Sequence, residues 1–267
     1  MLIRFNAENF LSFNKRIEFS LIANKERRLR SHIIKGDGLN ILKSGVIYGA
    51  NASGKSNLVK AIDFSSQVIT KGIENLSPVN CHFRLDKKNI KKPTIFNYEI
   101  KVNEKFYSYG FALKLDNNEI IEEWLYEIGR KKENKIFERI RNNEGKHDIE
   151  IGLQLSSKAK TRFEVYREDF KDANNLLFLS EMNRKSIDNF SELKVFKDVF
   201  NWFNKKLTVL FPKSKFSGLN FIGDDNEMSE TFNSFLNVFK TGINNVTSEE
   251  IDLDNFDIPQ KIKEDLT

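Results

Sequence analysis

The chain has 267 residues, 39% of them hydrophobic and 30% charged, which suits one large or two smaller soluble domains with a real core. Its net charge of +5 neither demands nor excludes nucleic acid. No stretch approaches the roughly 20 apolar residues of a membrane span. Met1-Leu2-Ile3-Arg4 contains no apolar signal core, and a single cysteine, Cys81, rules out an internal disulfide. A cytoplasmic, reducing compartment without membrane association is therefore expected.

Leu2 to Ala7 alternates as a strand does, and Arg16 to Ile22 reads as a second strand with Ile17, Phe19 and Leu21 on one face. Residues 24–40 are polar, carry Gly36 and Gly38, and read as a loop. Ser44 to Tyr48 is a short apolar run that reads as a buried strand. From Gly54 the spacing turns helical, through Leu58 and Ile62 to about Ile69. From Thr94 to about Val165 strand follows strand: Ile95–Val102, Phe106–Leu115, Glu119–Ile128, Ile136–Ile140 and Asp148–Leu153. Polar turns separate them, Asn103-Glu104-Lys105 and Asp116–Asn118 among them. Leu193 to Leu207 places Val195, Phe196, Val199, Phe200 and Phe203 at helical spacing, a stripe read as core. Thr231 to Phe239 offers another helix face.

Between the Ser44–Tyr48 run and the first helix lies GANASGKS, which matches G-x-x-x-x-G-K-[ST] through Gly49, Gly54, Lys55 and Ser56. This is the pattern of a phosphate-binding P-loop. Its glycines allow backbone conformations that a Cβ would obstruct, so that successive N–H groups can turn inward toward phosphate oxygens. The lysine supplies a point charge for the β- and γ-phosphates, the serine hydroxyl a ligand for Mg²⁺, and the helix its positive dipole end. ATP and Mg²⁺ are thus the expected cofactors. The expected binding set is Gly49, Ala50, Asn51, Ala52, Ser53, Gly54, Lys55, Ser56 and Asn57, with Ser56 on the metal. Position 52 is alanine where many P-loops carry glycine, which is tolerable at negative φ.

MLIRFNAENFLSF, followed about 35 residues later by GANASGKSNLVKAI, resembles the ABC-like ATPases. That group includes SMC-type chromosome proteins, double-strand-break repair ATPases and overcoming-lysogenization-defect nucleases. Further segments follow in order: HFRLDKKNIKKPTIFNYEI, FYSYGFALKLDNNEIIEEWLYEI, KIFERI, LLFLSEM, VFNWFNKKLTVLFP and FKTGINNV. Together they are most similar to abortive-infection-type AAA ATPases of bacterial phage defence. The resemblance implies a mixed α/β P-loop NTPase, an ABC-type head with an N-terminal antiparallel β-lobe and a helical lobe. On that reading residues 1–175 form the P-loop and β-lobe part and residues 176–267 the helical lobe. It also implies a head-to-head homodimer with ATP at the interface and a nuclease or toxin effector; nucleic acid is left open. In such relatives the turn after the first strand, here Asn9–Phe13, approaches the nucleotide, which adds Ser12 to the binding set. Repair ATPases often carry a basic residue before that serine; this chain has Leu11.

Hydrolysis needs an Asp that ends a buried strand and usually a neighbouring Glu to orient water. No run of four apolar residues leads into Asp-Glu. Leu219 to Asp225 comes nearest but is interrupted by Asn220 and Gly223. LLFLSEM reads as a good strand with Ser180 in the Asp position. Phe216-Ser217-Gly218-Leu219 is too little to count as an ABC signature, and the catalytic residues stay unknown. The family carries these elements C-terminal to the segment matched by FKTGINNV, which ends about 20 residues before Thr267. An N-terminal portion of a longer protein, a truncated gene or half of a split ATPase is the expectation. Three functions compete: the ATPase component of a phage-defence system, an SMC-like DNA-repair or DNA-clamping ATPase, and a non-hydrolysing nucleotide-binding scaffold.

Overall fold

The protein, described by a computed structural model, is defined at residues 1–24, 30–35, 39–76, 80–129, 131–185, 190–214, 226–240, 242–243 and 245–246. It divides into two compact units, Met1–Val209 and Leu210–Thr267.

The first unit begins with β1 (Leu2–Glu8) and β2 (Ile17–Ser20), followed by the short pair β3 (Ile33–Lys35) and β4 (Asn40–Leu42). Helix α1 (Lys55–Lys71) comes next. A meander then runs through β5 (Thr94–Val102), β6 (Lys105–Lys114), β7 (Glu119–Ile128), β8 (Glu133–Arg141) and β9 (His147–Ile151). Helices α2 (Ser157–Asp169), α3 (Phe178–Arg184) and α4 (Lys194–Asn201) complete the unit, the last running into a π-helical turn, Trp202–Lys206. Seven strands form one sheet in the order β2-β1-β5-β6-β7-β8-β9. Every pairing in it is antiparallel.

The meander follows from the turns. Val102 pairs with Lys105, so β5 and β6 are joined by two residues, and both Asn103 (φ 48°) and Glu104 (φ 64°) adopt the left-handed conformation. That is the type I′ geometry whose twist matches the flanking strands. Strand alternation then sorts the two faces of the sheet. Phe96, Tyr98, Tyr109, Phe111, Leu125 and Phe137 are all buried on one face. Helical aromatics cover them: Phe203 lies 5.0 Å from Tyr98 and 5.6 Å from Tyr109, and Phe178 and Phe196 each lie 5.3 Å from Phe137. The aromatic stripe at 193–207 is core, as its spacing predicts.

Several sequence expectations are corrected. Residues 24–40 are not all loop, because Ile33–Lys35 pairs with Asn40–Leu42. Strand texture ends at Ile151 and not near Val165; a Ser156 cap accepting from the Ala159 N–H opens α2, which buries Ala159, Phe163 and Tyr166. LLFLSEM is not a strand. Leu177 precedes α3, and Phe178, Leu179 and Met182 are buried at helical spacing. Ser44 to Tyr48 is not a strand either. A strand persists only where a ladder accepts it, and no described residue pairs with this run. The near matches at Phe216–Leu219 and Leu219–Asp225 lie outside the described residues.

The cause of the α3 correction is a buried charge. Glu123, on β7, accepts the Phe178 and Leu179 N–H groups at 2.6 and 2.9 Å and the Tyr109 hydroxyl at 3.0 Å. It thereby supplies the partners that the first turn of α3 lacks. Arg139, its cross-strand neighbour on β8, sits 3.5 Å away with both side chains fully buried. Arg139 also donates to the Leu176 and Ala173 carbonyls and stacks on Phe170. Burial pushes the Glu123 carboxyl up and holds Arg139 down to about 10, and each partner opposes the other's shift. Replacing Arg139 by Met would strand Glu123. The expected loss is ~3–5 kcal/mol in urea denaturation; a loss under ~1 kcal/mol would show that the carboxylate needs no counter-charge.

In the second unit, helix α5 (Asn226–Val238) carries the helical pattern read over Thr231–Phe239, with the Phe235 and Phe239 rings stacked at 6.2 Å.

Candidate phosphate-binding site

The loop that opens α1 takes its shape from backbone positions that favour glycine. Gly54 has φ 94° and ψ 0°, and Gly49 has φ 156°. A Cβ on Gly54 would lie 3.0 Å from the Ser12 hydroxyl and 3.3 Å from the Phe13 ring, so both conformation and space select glycine there. Gly54 O accepts the N–H groups of Asn57 at 2.9 Å and Leu58 at 3.1 Å, which starts the helix. One face of α1 is then buried through Leu58, Ala61, Ser65, Val68 and Ile69. The loop itself stays exposed, as does Ser56 in the first turn.

Lys55 folds back over the loop. Its Nζ donates to the Gly49 and Ala50 carbonyls, both at 2.7 Å. The ammonium therefore already sits at the mouth of the loop, and to contact a phosphate it would exchange these carbonyls for phosphate oxygens. A glycine-shaped loop, an ammonium at its centre and an exposed hydroxyl at the helix start fit a polyphosphate with its divalent cation.

The turn after β1 meets this loop. Asn57 Nδ2 donates to Ser12 Oγ at 2.9 Å, so Ser12, Gly54 and Asn57 are brought together. The residue that holds the turn is Asn9, a role the sequence reading did not single out. Asn9 is buried at φ 52°, and its Nδ2 donates to the carbonyls of Asn89 and Lys92, both at 2.9 Å. Its Oδ1 accepts the Phe83 N–H, and its own carbonyl accepts from the Thr94 hydroxyl. Phe10 and Phe13 close the turn with reciprocal N–H···O bonds of 3.0 and 2.8 Å, and Leu11 at φ 49° donates to Cys81 O. An asparagine placed directly before a turn was the available signal, since Asn tolerates the left-handed region best after glycine.

Two expectations about the site are overturned. Ala52 does not stay at negative φ; it sits at 63°. The run leading into the loop is not a buried strand: Val46 is 87%, Ile47 44% and Tyr48 90% exposed. LLFLSEM is also removed from the phosphate end. Ser180 Oγ donates to Ile69 O at 2.6 Å, and Ile69 lies roughly 20 Å along α1 from Lys55 at the helical rise.

A glycine-cornered loop with its lysine at the start of a helix has the form of a P-loop. A family model described as "AAA domain, putative AbiEii toxin, Type IV TA system" matches residues 46–242, and the chain belongs to that family. It is an AAA-type nucleotide-binding domain of the P-loop NTPase class, on a mixed α/β scaffold with a large antiparallel sheet. No curated protein matches the chain. Among the described residues, no helix is long and apolar enough to cross a membrane.

Left-handed alanine carries a cost of about 1–2 kcal/mol that glycine avoids. Ala52→Gly should therefore raise stability by ~0.5–1 kcal/mol after allowing for glycine's freer unfolded chain, read from the midpoint of chemical denaturation. A loss of stability would contradict the positive φ at this position.

Proposed function

We propose that this domain binds ATP with Mg²⁺ at the Gly49–Ser56 loop and serves as the nucleotide switch of a phage-defence or toxin–antitoxin system. The observation that carries the nucleotide reading is the convergence of Lys55, Gly54 and Ser12 at the start of α1. In this reading Lys55 Nζ neutralises the β- and γ-phosphates. Ser56 presents its hydroxyl to the metal, whose chemistry is to offset phosphate charge. Gly49 to Gly54 wrap the phosphates with backbone N–H groups. Asn57 orients Ser12 beside them. The defence role is drawn from the family description, which names a toxin and a type IV system; the effector would be a nuclease or toxin gated by the nucleotide state of a homodimeric, ABC-type head.

We further propose that the first unit contributes only half of a hydrolytic site. Val46, Ile47 and Tyr48 form an apolar run that is exposed immediately before the loop. A P-loop strand in a working NTPase is normally buried among parallel neighbours. A strand supplied from outside this unit, ending in the Asp and Glu that hydrolysis requires, would cover the run and complete the chemistry. The exposed run equally favours the second reading, a nucleotide-binding scaffold that does not hydrolyse.

The test is a titration of the 267-residue chain with a fluorescent ATP analogue and Mg²⁺. Wild type should bind. Lys55→Ala should weaken binding by ~10–100-fold through loss of a charge-assisted contact, and unchanged affinity would refute the P-loop assignment. No ATP turnover is expected from the chain by itself, and measurable turnover would refute the half-site.

A further inference from the structure

The sheet face opposite α1 holds a separate pocket of about 400 Å³, formed by side chains of β1, β5, β6 and β7 with Arg16 and Glu133 at its margin. Strand alternation sends Asn6, Asn97 and Trp124 to this face while Phe5, Tyr98 and Leu125 go to the helical side. Gly110, opposite Trp124 in register, makes room for the indole: a Cβ there would lie 2.6 Å from the Phe96 carbonyl and closer still to the ring. Asn97 Oδ1 accepts from Trp124 Nε1 at 3.0 Å and from Ser108 Oγ at 3.2 Å, so the floor is fixed.

Asn6 is the anomaly. It lines the pocket beside its register partner Asn97 and is only 2% exposed, yet neither its Nδ2 nor its Oδ1 has a hydrogen-bond partner. Buried polar groups are nearly always paired, and an unpaired one is a standing cost. Around it stand three carboxylates, Glu8, Glu99 and Glu133, against one lining guanidinium, Arg16. Arg4 pairs with Glu99 at 3.4 Å from the side. Burial pushes the Glu99 carboxyl up; Arg4 and Arg16 oppose that, and the like charges of Glu18 and Glu133 add to it. The lining is therefore acidic on balance. Its carboxylates do not converge on a point: no group of three His, Cys, Asp or Glu able to hold a metal occurs among the described residues. An extended organic cation suits the spread better than a metal ion.

We infer that this pocket receives an arginine residue from a basic peptide segment of a partner. The guanidinium fork carries five donors for the separated carboxylates and for Asn6 Oδ1, and its plane can stack on Trp124. Asn6 Nδ2 still needs an acceptor. A guanidinium has none, whereas the arginine's own peptide carbonyl provides one. This requirement favours a peptide over a free guanidine and does not depend on the nucleotide reading.

Calorimetric titration of the full chain at low ionic strength tests this with three probes: N-acetyl-L-arginine methylamide, the uncharged isostere N-acetyl-L-citrulline methylamide, and guanidinium ion. The arginine derivative should bind saturably, and citrulline at least ~10-fold more weakly because the charge-assisted bonds are lost. Asn6→Ala should weaken the arginine derivative by ~10-fold and guanidinium ion by less, because the ion loses only the bond to Oδ1 whereas the arginine derivative also loses the bond from Nδ2 to its carbonyl. Its thermal midpoint should stay level or rise, because the substitution deletes an unpaired group. Glu99→Gln, which keeps the shape, should weaken the arginine derivative and guanidinium ion alike. No binding by the arginine derivative, equal binding by citrulline, or full affinity in both variants would overturn the proposal. Guanidinium ion binding as tightly as the arginine derivative would overturn the peptide assignment.

Discussion

The packing of α1 on the sheet through one cluster of phenylalanines organises the rest of the first unit. Phe64 of α1 lies 5.2 Å from Phe10 and 5.9 Å from Phe96, and Phe10 lies 5.2 Å from Phe96. Three pieces of chain meet there: the helix, the turn after β1, and β5. A buried bond of 2.6 Å between Ser65 Oγ and the Tyr98 hydroxyl ties the same helix to the same strand further along. Aromatic rings of this size bury enough apolar surface to hold an element rigidly. Phe10 and Ser12 belong to one tight turn, so the cluster that docks the helix also sets the distance between Ser12 and the P-loop. Loop and turn form a single object, although the sequence separates them.

Much of this was legible in the sequence, for local reasons. The meander from Thr94 to Ile151 followed from alternation and from turn residues two or three long, both properties of neighbouring residues. The glycine-cornered start of α1 was legible because the GANASGKS pattern asks for glycine where the backbone turns and for a helix directly after it. The misreadings share one cause. Ser44–Tyr48 and LLFLSEM are short apolar runs, which periodicity cannot assign to strand or helix without knowing what accepts them. The first finds no ladder among the described residues. The second is captured as a helix because Glu123, far away in sequence, offers its carboxylate to the Phe178 and Leu179 N–H groups. Asn9 was missed likewise, since its partners Phe83, Asn89 and Lys92 come from a distant segment.

The two faces of the sheet have different chemistry. The covered face carries the aromatic core and a buried ion pair, in which Arg139 and Glu123 face each other and Glu123 also takes the Tyr109 hydroxyl and the α3 N–H groups. The opposite face carries amides, carboxylates and an indole, with Asn6 unanswered. One face thus holds the helix that follows the glycine-cornered loop, and the other presents Asn6 and its surrounding carboxylates. A single antiparallel sheet separates the two surfaces by its own thickness.

The strand order also bears on how the chain reaches its native state. From β5 to β9 each strand pairs with its successor, so this half can form from local hairpins as soon as it has been synthesised. β1 pairs with its successor β2, but its other neighbour, β5, lies beyond the whole segment that carries α1, with Arg4 opposite Glu99. Closing so long a loop is slow and gains nothing until the meander is there to receive it. β1 therefore joins the meander only after β5 has formed, although it precedes β5 in the chain. The Asn9 turn, which needs Asn89 and Lys92, can acquire its shape only afterwards. Competence to bind phosphate would then arrive as a late, cooperative event in folding, since the turn beside the loop has no partners until residues 89–92 are in place.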